Sequence, residues 1–559
     1  MTSLKFPVGL SNFAKLRDEG YYYIDKTKLI TELLAGGAAE VTLITRPRRF
    51  GKTLAMSMLA DFFDIRRDSQ AHFADLSIAE RTDICEQWLN KYPTIFISFK
   101  DIDGLTFQDA LAQFSLQFAN LYREYAYLLN CSVIDNDDKA VFQKIKANEA
   151  SFAEISRALS TLMRMLELYY GKTVILLIDE YDVPIVKASS HGYYNEMLNL
   201  LKPLLSTSLK DNPSLCFAVV TGCLRIAKES IFTGTNNFIS DSIVRAHLNE
   251  AFGFTQKEVD KLLLDAGAEA YAPTIQTWYD GYHFDNADVY CPWDVISYLY
   301  DLQRNPGAKP VSYWKNTSDN SIVRSFIDYA SSNITEKLEK LLAGGFIVQR
   351  IDDNLTYDYL HASEENLWSV LYLTGYLTQV RAEELTSTVP AGCQALKIPN
   401  AEIREIFSTT VRQWFEDNTQ AWNRKPLFDA VWQCDSVALT KEITKLLRTT
   451  ISYHDYQENF YHAFLAGIFA GAGYVVESNH EHGEGRSDVV VKDIRNGRVA
   501  VFEVKHVKSL SMLENACNKA LEQIDARRYA EDFQDDYDNV ICYGVTFFKK
   551  RCLVKTKQA

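Results

Sequence analysis

The chain has 559 residues, 47% of them hydrophobic and 24% charged, which is the composition of a folded globular protein and excludes a mostly disordered one. Its 59 Lys and Arg stand against 73 Asp and Glu, a net charge of −14. That excludes a wholly basic nucleic-acid binder and confines any nucleic-acid contact to a local positive patch.

At this length three or four domains are expected. The ten cysteines are scattered without a CxxC spacing, so they read as buried thiols in a reducing compartment. No apolar signal core opens the chain, and no apolar stretch reaches the length of a spanning helix. The nearest, residues 463–476, contains Gly467, Gly471 and Gly473 and reads as a buried helix running into a strand. A cytoplasmic protein with no membrane partner is expected.

In chain order, residues 40–45 read as a buried strand and residues 53–63 as an apolar-periodic helix. Residues 94–99 alternate as a second strand. Long amphipathic helices are expected over 106–129 and 151–170. Residues 174–178 form the continuous apolar run of a strand covered on both faces. A helix at 194–208 leads to a strand at 215–220. Strands alternating with helices predict a parallel α/β sheet. From 255 to about 432 helical segments dominate, and the aromatics there, Trp278, Trp293, Trp314, Trp368 and Tyr372 among them, read as core. From about 457 the order is helix, three strands (474–478, 488–492, 499–505), a helix (513–529) and a last strand (540–546).

The turn after the first strand is Thr45-Arg46-Pro47-Arg48-Arg49-Phe50-Gly51-Lys52-Thr53. Gly51, Lys52 and Thr53 supply the end of a phosphate-binding loop: a glycine that turns backbone N–H groups inward, a lysine for the terminal phosphates and a hydroxyl for Mg²⁺. Arg46 stands where the first glycine of such a loop is expected. The helix that follows adds the anion affinity of its own N-terminus. Asp179 and Glu180 close the buried strand at 174–178, where Asp179 would hold the Mg²⁺ shell and Glu180 would polarise an attacking water. Thr221 ends the next strand as a candidate γ-phosphate sensor. Arg225 follows as a candidate cis arginine for transferring charge.

Near the C-terminus, Gly485-Arg486-Ser487-Asp488 opens a strand of valines, and Phe502-Glu503-Val504-Lys505 follows fifteen residues later. Glu503 and Lys505 are two apart on a strand and share a face. Asp488 joins it from the neighbouring strand. Two carboxylates hold a divalent cation by hard oxygen ligands, and a nearby lysine steadies a phosphate or orients a water. Glu458, on the preceding helix, is a further metal-shell candidate, and Gln523, on the following helix, a water or phosphate-oxygen ligand. His462, one turn beyond Glu458, reads first as a core histidine and otherwise as a residue lining the same cleft, and Arg486 reads as the first-choice phosphate contact.

Together with Phe6-Pro7-Val8-Gly9, Tyr23-Ile24-Asp25-Lys26-Thr27, Ile178-Asp179-Glu180-Tyr181-Asp182, Thr221-Gly222-Cys223-Leu224-Arg225 and Trp278-Tyr279-Asp280-Gly281-Tyr282, the loop resembles the AAA-ATPase-like family of bacterial proteins. The D…ExK cluster resembles the PD-(D/E)XK nuclease superfamily. The resemblance implies an α/β protein with an N-terminal P-loop NTPase sheet of ASCE/AAA type, a helical middle region resembling a lid or winged helix, and a C-terminal restriction-endonuclease-like α/β domain. The expected spans are 1–254, 255–450 and 451–559.

The resemblance also implies ATP bound by Arg46, Arg49, Gly51, Lys52, Thr53, Asp179, Thr221 and Arg225. It implies Mg²⁺ or Mn²⁺ at Thr53 and Asp179 and at Glu458, Asp488 and Glu503. Catalysis would fall to Glu180, Glu458, Asp488, Glu503, Lys505 and Gln523. The expected function is an ATP-gated, Mg²⁺-dependent nuclease acting on DNA. The other reading is a nucleotide-switched regulatory or scaffold protein whose nuclease fold only binds nucleic acid or a partner. A homo-oligomer, ring or dimer, is compatible with so acidic a chain.

Overall fold

The computed structural model describes residues 4–35, 39–225, 238–245, 247–314, 332–353, 364–385, 388–419, 425–450, 458–470, 474–482, 485–549 and 551–558. The chain divides into two compact units, Met1–Ser318 with Val348–Ile403, and Asp319–Ile347 with Arg404–Ala559.

In the first unit the strands β1 (Val41–Thr45), β2 (Thr94–Ser98), β3 (Val174–Asp179), β4 (Leu215–Gly222) and β5 (Phe238–Asp241) form one sheet in the order β2-β3-β4-β1-β5. Every pairing is parallel. β1 and β3 are buried along their whole length, because each carries an unbroken run of apolar or β-branched residues and both faces are covered. The loop after β1 and the acidic end of β3 therefore sit at the same edge of the sheet, with β4 between them.

The helix Lys52–Phe63 follows β1 as expected. The expected helix at 106–129 ends at Glu124 and continues as a 3₁₀ turn. The expected helix at 151–170 is broken into Phe152–Ile155 and Ala158–Tyr170. A helix Asn136–Ala147 precedes both pieces, started by Asp135, whose side chain accepts the Asp138 N–H. Its many charged residues mask the apolar period, so the N-cap is the stronger signal.

The middle of the chain is helical, with Gln256–Ala266, Ala272–Tyr279, Pro292–Arg304 and Glu364–Leu373. It also holds short strands that helical periodicity does not reveal. β6 (Tyr282–Phe284) and β7 (Ala287–Val289) form a hairpin, and β8 (Ile347–Arg350), β9 (Thr378–Gln379) and β10 (Cys393–Lys397) a small sheet. Trp314, Trp368, Tyr279, Tyr282 and Tyr372 are fully buried, as core aromatics should be. Gly281, at φ 94°, lies so close to Pro399 that an added Cβ would meet its carbonyl oxygen at 2.1 Å. Only glycine allows that approach.

The second unit holds a mixed sheet of β11 (Val475–His482), β12 (Gly485–Asp493), β13 (Arg498–His506), β14 (Asn539–Phe548) and β15 (Arg551–Gln558) in that order. β13 and β14 run parallel and the other pairs antiparallel. The strand expected last is thus followed by another, β15, whose lysines hide its alternation. The helix Glu458–Ala470 packs Tyr461, Phe464 and Phe469 against Val489, Val491 and Phe502. Ile524, from the helix Leu513–Ala526, packs with Val490, Val499 and Val501, which alternate onto the opposite face. Among the described residues no helix is long and apolar enough to cross a membrane.

Candidate functional site

At the carboxyl edge of the first sheet, Gly51 takes φ 86° and opens the helix Lys52–Phe63. That left-handed turn is natural for glycine. Lys52 is only 4% exposed, and its Nζ donates to the carbonyls of Arg46 and Pro47, each at 3.0 Å. Burial is the largest influence on this ammonium and lowers its pKa. The charges of Cys223, Glu180, Asp182 and Asp179 together outweigh burial and hold it above its ordinary value. Among the described residues no carboxylate forms a direct ion pair with Lys52, so a buried cation rests on neutral carbonyls and on acids at longer range.

One turn on, Thr53 Oγ1 donates to Asp179 Oδ2 at 2.9 Å. Asp179 is fully buried and also accepts from Ser98 at 3.1 Å and from Thr221 at 2.7 Å. Three hydroxyls from three elements thus fix one carboxylate. Ser98 is absent from the sequence reading, although a hydroxyl ending the strand beside β3 is the signal for it. Thr221 holds the acid at this position. Glu180 follows with φ 52°, and burial, the largest influence, raises its pKa despite the nearby Lys52.

Asp182 accepts the N–H groups of Cys223 and Leu224 at 2.9 and 3.0 Å. Tyr181 Oη donates to the Leu224 carbonyl at 2.9 Å. The acidic turn after β3 thereby holds the loop that carries Arg225. Gly222 fits against this turn: a Cβ there would meet Asp182 Oδ1 and the Tyr181 ring, both at 2.7 Å. The Nε of Arg225 has no hydrogen-bond partner among the described residues.

The arginines of the loop have other roles than the spacing suggests. Arg46 is fully enclosed. Its guanidinium pairs with Asp241, donates to Asn249 Oδ1 at 2.9 Å and lies 5.4 Å from the Phe252 ring centre. It ties β1 to the segment after β5, and the loop uses its carbonyl instead. Arg49 has φ 71°. It donates to the Tyr313 carbonyl at 2.7 Å and lies 5.4 Å from Trp293 and 5.9 Å from Trp314. Phe50 packs edge-on against Tyr282 at 4.9 Å. A Cβ on Gly375 would meet Pro47 at 2.9 Å. Loop residues Pro47, Arg49 and Phe50 are therefore clamped by the region after residue 280, which replaces the rigidity a glycine-rich loop obtains from its own turns.

Beside the loop lies a cavity of about 290 Å³ whose lining combines Lys52, Thr53 and Glu180 with Ile24, Phe254 and Trp293. It is a concave, mostly apolar space with a few charged groups, the usual form of a small-molecule site. The sequence carries no periodic signal for it, because the lining comes from segments more than 200 residues apart.

In the second unit the β12–β13 register runs from Asp493↔Arg498 to Val489↔Phe502. The next residue, Asp488, accepts the Val504 N–H on Oδ2 at 2.7 Å. Glu503 is 1% exposed and its Oε1 is 2.7 Å from Lys505 Nζ. Asp488 and Glu503 follow Val490 and Val501 by the strand period and share their face. His462 Nε2 lies 3.3 Å from Asp488 Oδ2. His462 is thus buried, as a core histidine should be, and also touches the acid. Glu458 opens the helix Glu458–Ala470, but its side chain, like that of Arg486, lies outside the described residues. Gln523 is half-buried beside Ile524.

Two spans of the chain match known families. Residues 7–232 match the AAA-ATPase-like family, described as a predicted AAA-ATPase, and residues 456–557 match the PD-(D/E)XK nuclease superfamily. A protein of Azotobacter chroococcum mcd 1, described as an uncharacterized protein in the vnfD 5' region, is 25% identical over 561 residues, which is 98% of this chain and 97% of its own length.

Proposed function

For a chain that joins an AAA-ATPase-like domain at residues 7–232 to a PD-(D/E)XK nuclease superfamily domain at residues 456–557, we propose an ATP-hydrolysing, Mg²⁺-dependent nuclease that acts on DNA and is gated by its nucleotide. The observation that carries the nucleotide half is the buried Lys52 ammonium. It is held on the carbonyls of Arg46 and Pro47, beside a cavity that it lines together with Thr53 and Glu180. A triphosphate would bring negative charge directly against this ammonium, which among the described residues has acids only at longer range.

In this reading the terminal phosphates lie against Lys52 and the N-terminus of the helix Lys52–Phe63, and the base occupies the apolar part of the cavity near Ile24 and Phe254. Thr53 and Asp179 offer hard oxygens of the kind Mg²⁺ or Mn²⁺ prefers and would hold the ion. Glu180 takes the proton of the attacking water, a task that suits a carboxyl whose pKa burial has raised.

In the nuclease half, Asp488 and Glu503 would hold the metal, with Glu458 as a third donor. A bound divalent ion neutralises phosphate charge and lowers the pKa of a bound water. Lys505, held by Glu503, steadies the phosphate.

The test is cleavage of supercoiled plasmid and of single-stranded DNA with Mg²⁺ or Mn²⁺, with and without ATP, wild type beside Lys505→Ala. Cleavage that disappears in the variant and changes with ATP supports both halves. Absence of cleavage under every condition would leave a fold that only binds.

A further inference from the structure

At one end of the second sheet stand cations that this chemistry does not use. β13 and β14 run parallel, in register from Arg498↔Asn539 to His506↔Phe547. Glu503, Lys505 and the last residues of β14 therefore reach the same end of the sheet. Asp488 is there too, one residue before the pair Val489↔Phe502. Three exposed cations lie just beyond. Lys508 is two residues past β13, Lys549 is in the turn after β14, and Arg551 is the first residue of β15.

Among the described residues none of the three pairs with a carboxylate, and Lys549 Nζ lies 5.6 Å from the Phe548 ring centre. Farther along β15 the cations are tied down: Lys555 donates to Glu514 at 2.9 Å and Lys557 to Asp525 at 2.7 Å. At the opposite end of the sheet Lys492 pairs with Glu477 and Arg498 with Asp493.

The backbone under the three cations is fixed. Tyr461, from the helix Glu458–Ala470, is fully buried and stacks on Phe547 at 4.0 Å. Its hydroxyl donates to the Lys549 carbonyl at 2.9 Å. The Val507 N–H donates to the Phe547 carbonyl at 2.9 Å, and the Cys552 N–H to Thr444 Oγ1 at 3.3 Å. Charges on an already ordered backbone lose less freedom when they meet a ligand.

Neighbouring strands lie about 4.8 Å apart, so three strand ends set the cations in a row about 10 Å across. A duplex carries one negative charge per about 1.7 Å of its axis and offers several phosphates over that width. A chain of net charge −14 repels DNA as a whole, so an unpaired positive row is where DNA can approach.

We infer that Lys508, Lys549 and Arg551 form the surface that receives the phosphate backbone of DNA and leads it to Asp488, Glu503 and Lys505. The inference rests on the nuclease reading of the second unit. Contacts of this kind carry affinity and salt dependence and no base preference.

The experiment measures the affinity of the full chain for a fluorescent duplex DNA by anisotropy, in EDTA so that metal-dependent cleavage is silent, over a series of KCl concentrations. The triple variant Lys508→Gln, Lys549→Gln, Arg551→Gln should bind at least about tenfold more weakly at about 0.1 M salt. Its slope of log affinity against log salt should be shallower by about 2–3, at about 0.9 per phosphate contact. Arg495→Gln is the control, an exposed cation in the turn at the opposite end of the sheet. It should keep both affinity and slope.

A triple variant with the wild-type slope, or an Arg495→Gln variant that loses as much, overturns the inference. Should the triple variant not fold, Lys508→Gln and Arg551→Gln replace it singly. Each must flatten the slope by about one, and two unchanged slopes overturn the inference equally. A wild type that neither binds nor cuts DNA removes the nuclease reading and this surface with it. A wild type that cuts through Lys505, beside a triple variant that binds as tightly, removes only the surface.

Discussion

Thr53 Oγ1 and Asp179 Oδ2 lie 2.9 Å apart, although 126 residues separate them in the chain. Asp179 ends β3, whereas Thr53 lies in the first turn of the helix that follows β1, a strand that is not β3's neighbour, and the acid is fixed by two further hydroxyls, Ser98 and Thr221. If this pair holds a divalent ion, its outer partners set how well. Thr221→Val keeps the side-chain shape and removes one donor. The Mg²⁺ concentration needed for half-maximal ATP hydrolysis should rise about 10- to 100-fold, measured by Mg²⁺ titration of the ATPase rate, with ATP binding in the absence of metal little changed.

Lys52→Ala removes the buried ammonium. The lost charge-assisted contacts, worth about 1.5–3 kcal/mol, correspond to a fall in ATP affinity of at least about tenfold. Isothermal titration gives the answer, and equal affinity in the variant would remove the loop from the account.

Gly281→Ala places a Cβ 2.1 Å from the Pro399 carbonyl at a residue with φ 94°. Overpacking and left-handed strain together should cost about 2–5 kcal/mol. Because Phe50 packs on Tyr282, the variant should lose ATP affinity as well as thermal stability. A melting curve and a nucleotide titration on the same preparation test both.

His72 links two acids, with Nδ1 2.6 Å from Asp61 and Nε2 2.9 Å from Asp18. Burial lowers its pKa, but the two hydrogen bonds and the charges of both acids outweigh it, so the folded value lies above the ordinary one. The imidazolium therefore contributes stability that is fully present below the unfolded pKa of about 6.5 and is lost as pH rises through the folded value. Asp61 lies on the helix Lys52–Phe63, so the first unit should carry this dependence. Urea midpoints at about pH 6 and about pH 8.5 should fall more for wild type than for His72→Gln. Parallel falls would show that the acids do not depend on the ring's charge.

Asp488 has a structural task as well as a proposed chemical one, since it accepts the Val504 N–H. Asp488→Asn keeps a carbonyl oxygen for that bond and gives up the charge. Melting should stay within a few degrees of wild type while DNA cleavage falls to background. A variant that cleaves normally would show that the acid serves the strand alone.

Much of this was legible in the chain itself. β1, the helix Lys52–Phe63 and β3 announce themselves because a buried strand must be apolar on both faces and a phosphate loop needs Gly, Lys and a hydroxyl in a row. Asp488, Glu503 and Lys505 are likewise readable, because a two-residue period sends alternate side chains to one face. β15 and the helix Asn136–Ala147 were harder, since their many charges dilute the period.

What the sequence determined by itself is local: which segments form strands, where the loop turns, and which side chains have the chemistry to meet a phosphate or a metal. The tertiary structure decided which of them have another task. Arg46 looks like a loop residue and is in fact locked to Asp241, 195 positions away. Arg49 is held by Tyr313. Asp488 touches His462 from another element. Such pairings depend on sheet order and on which elements pack together. Periods of two and 3.6 residues carry no record of them, because they describe one element's own faces and never its neighbour's.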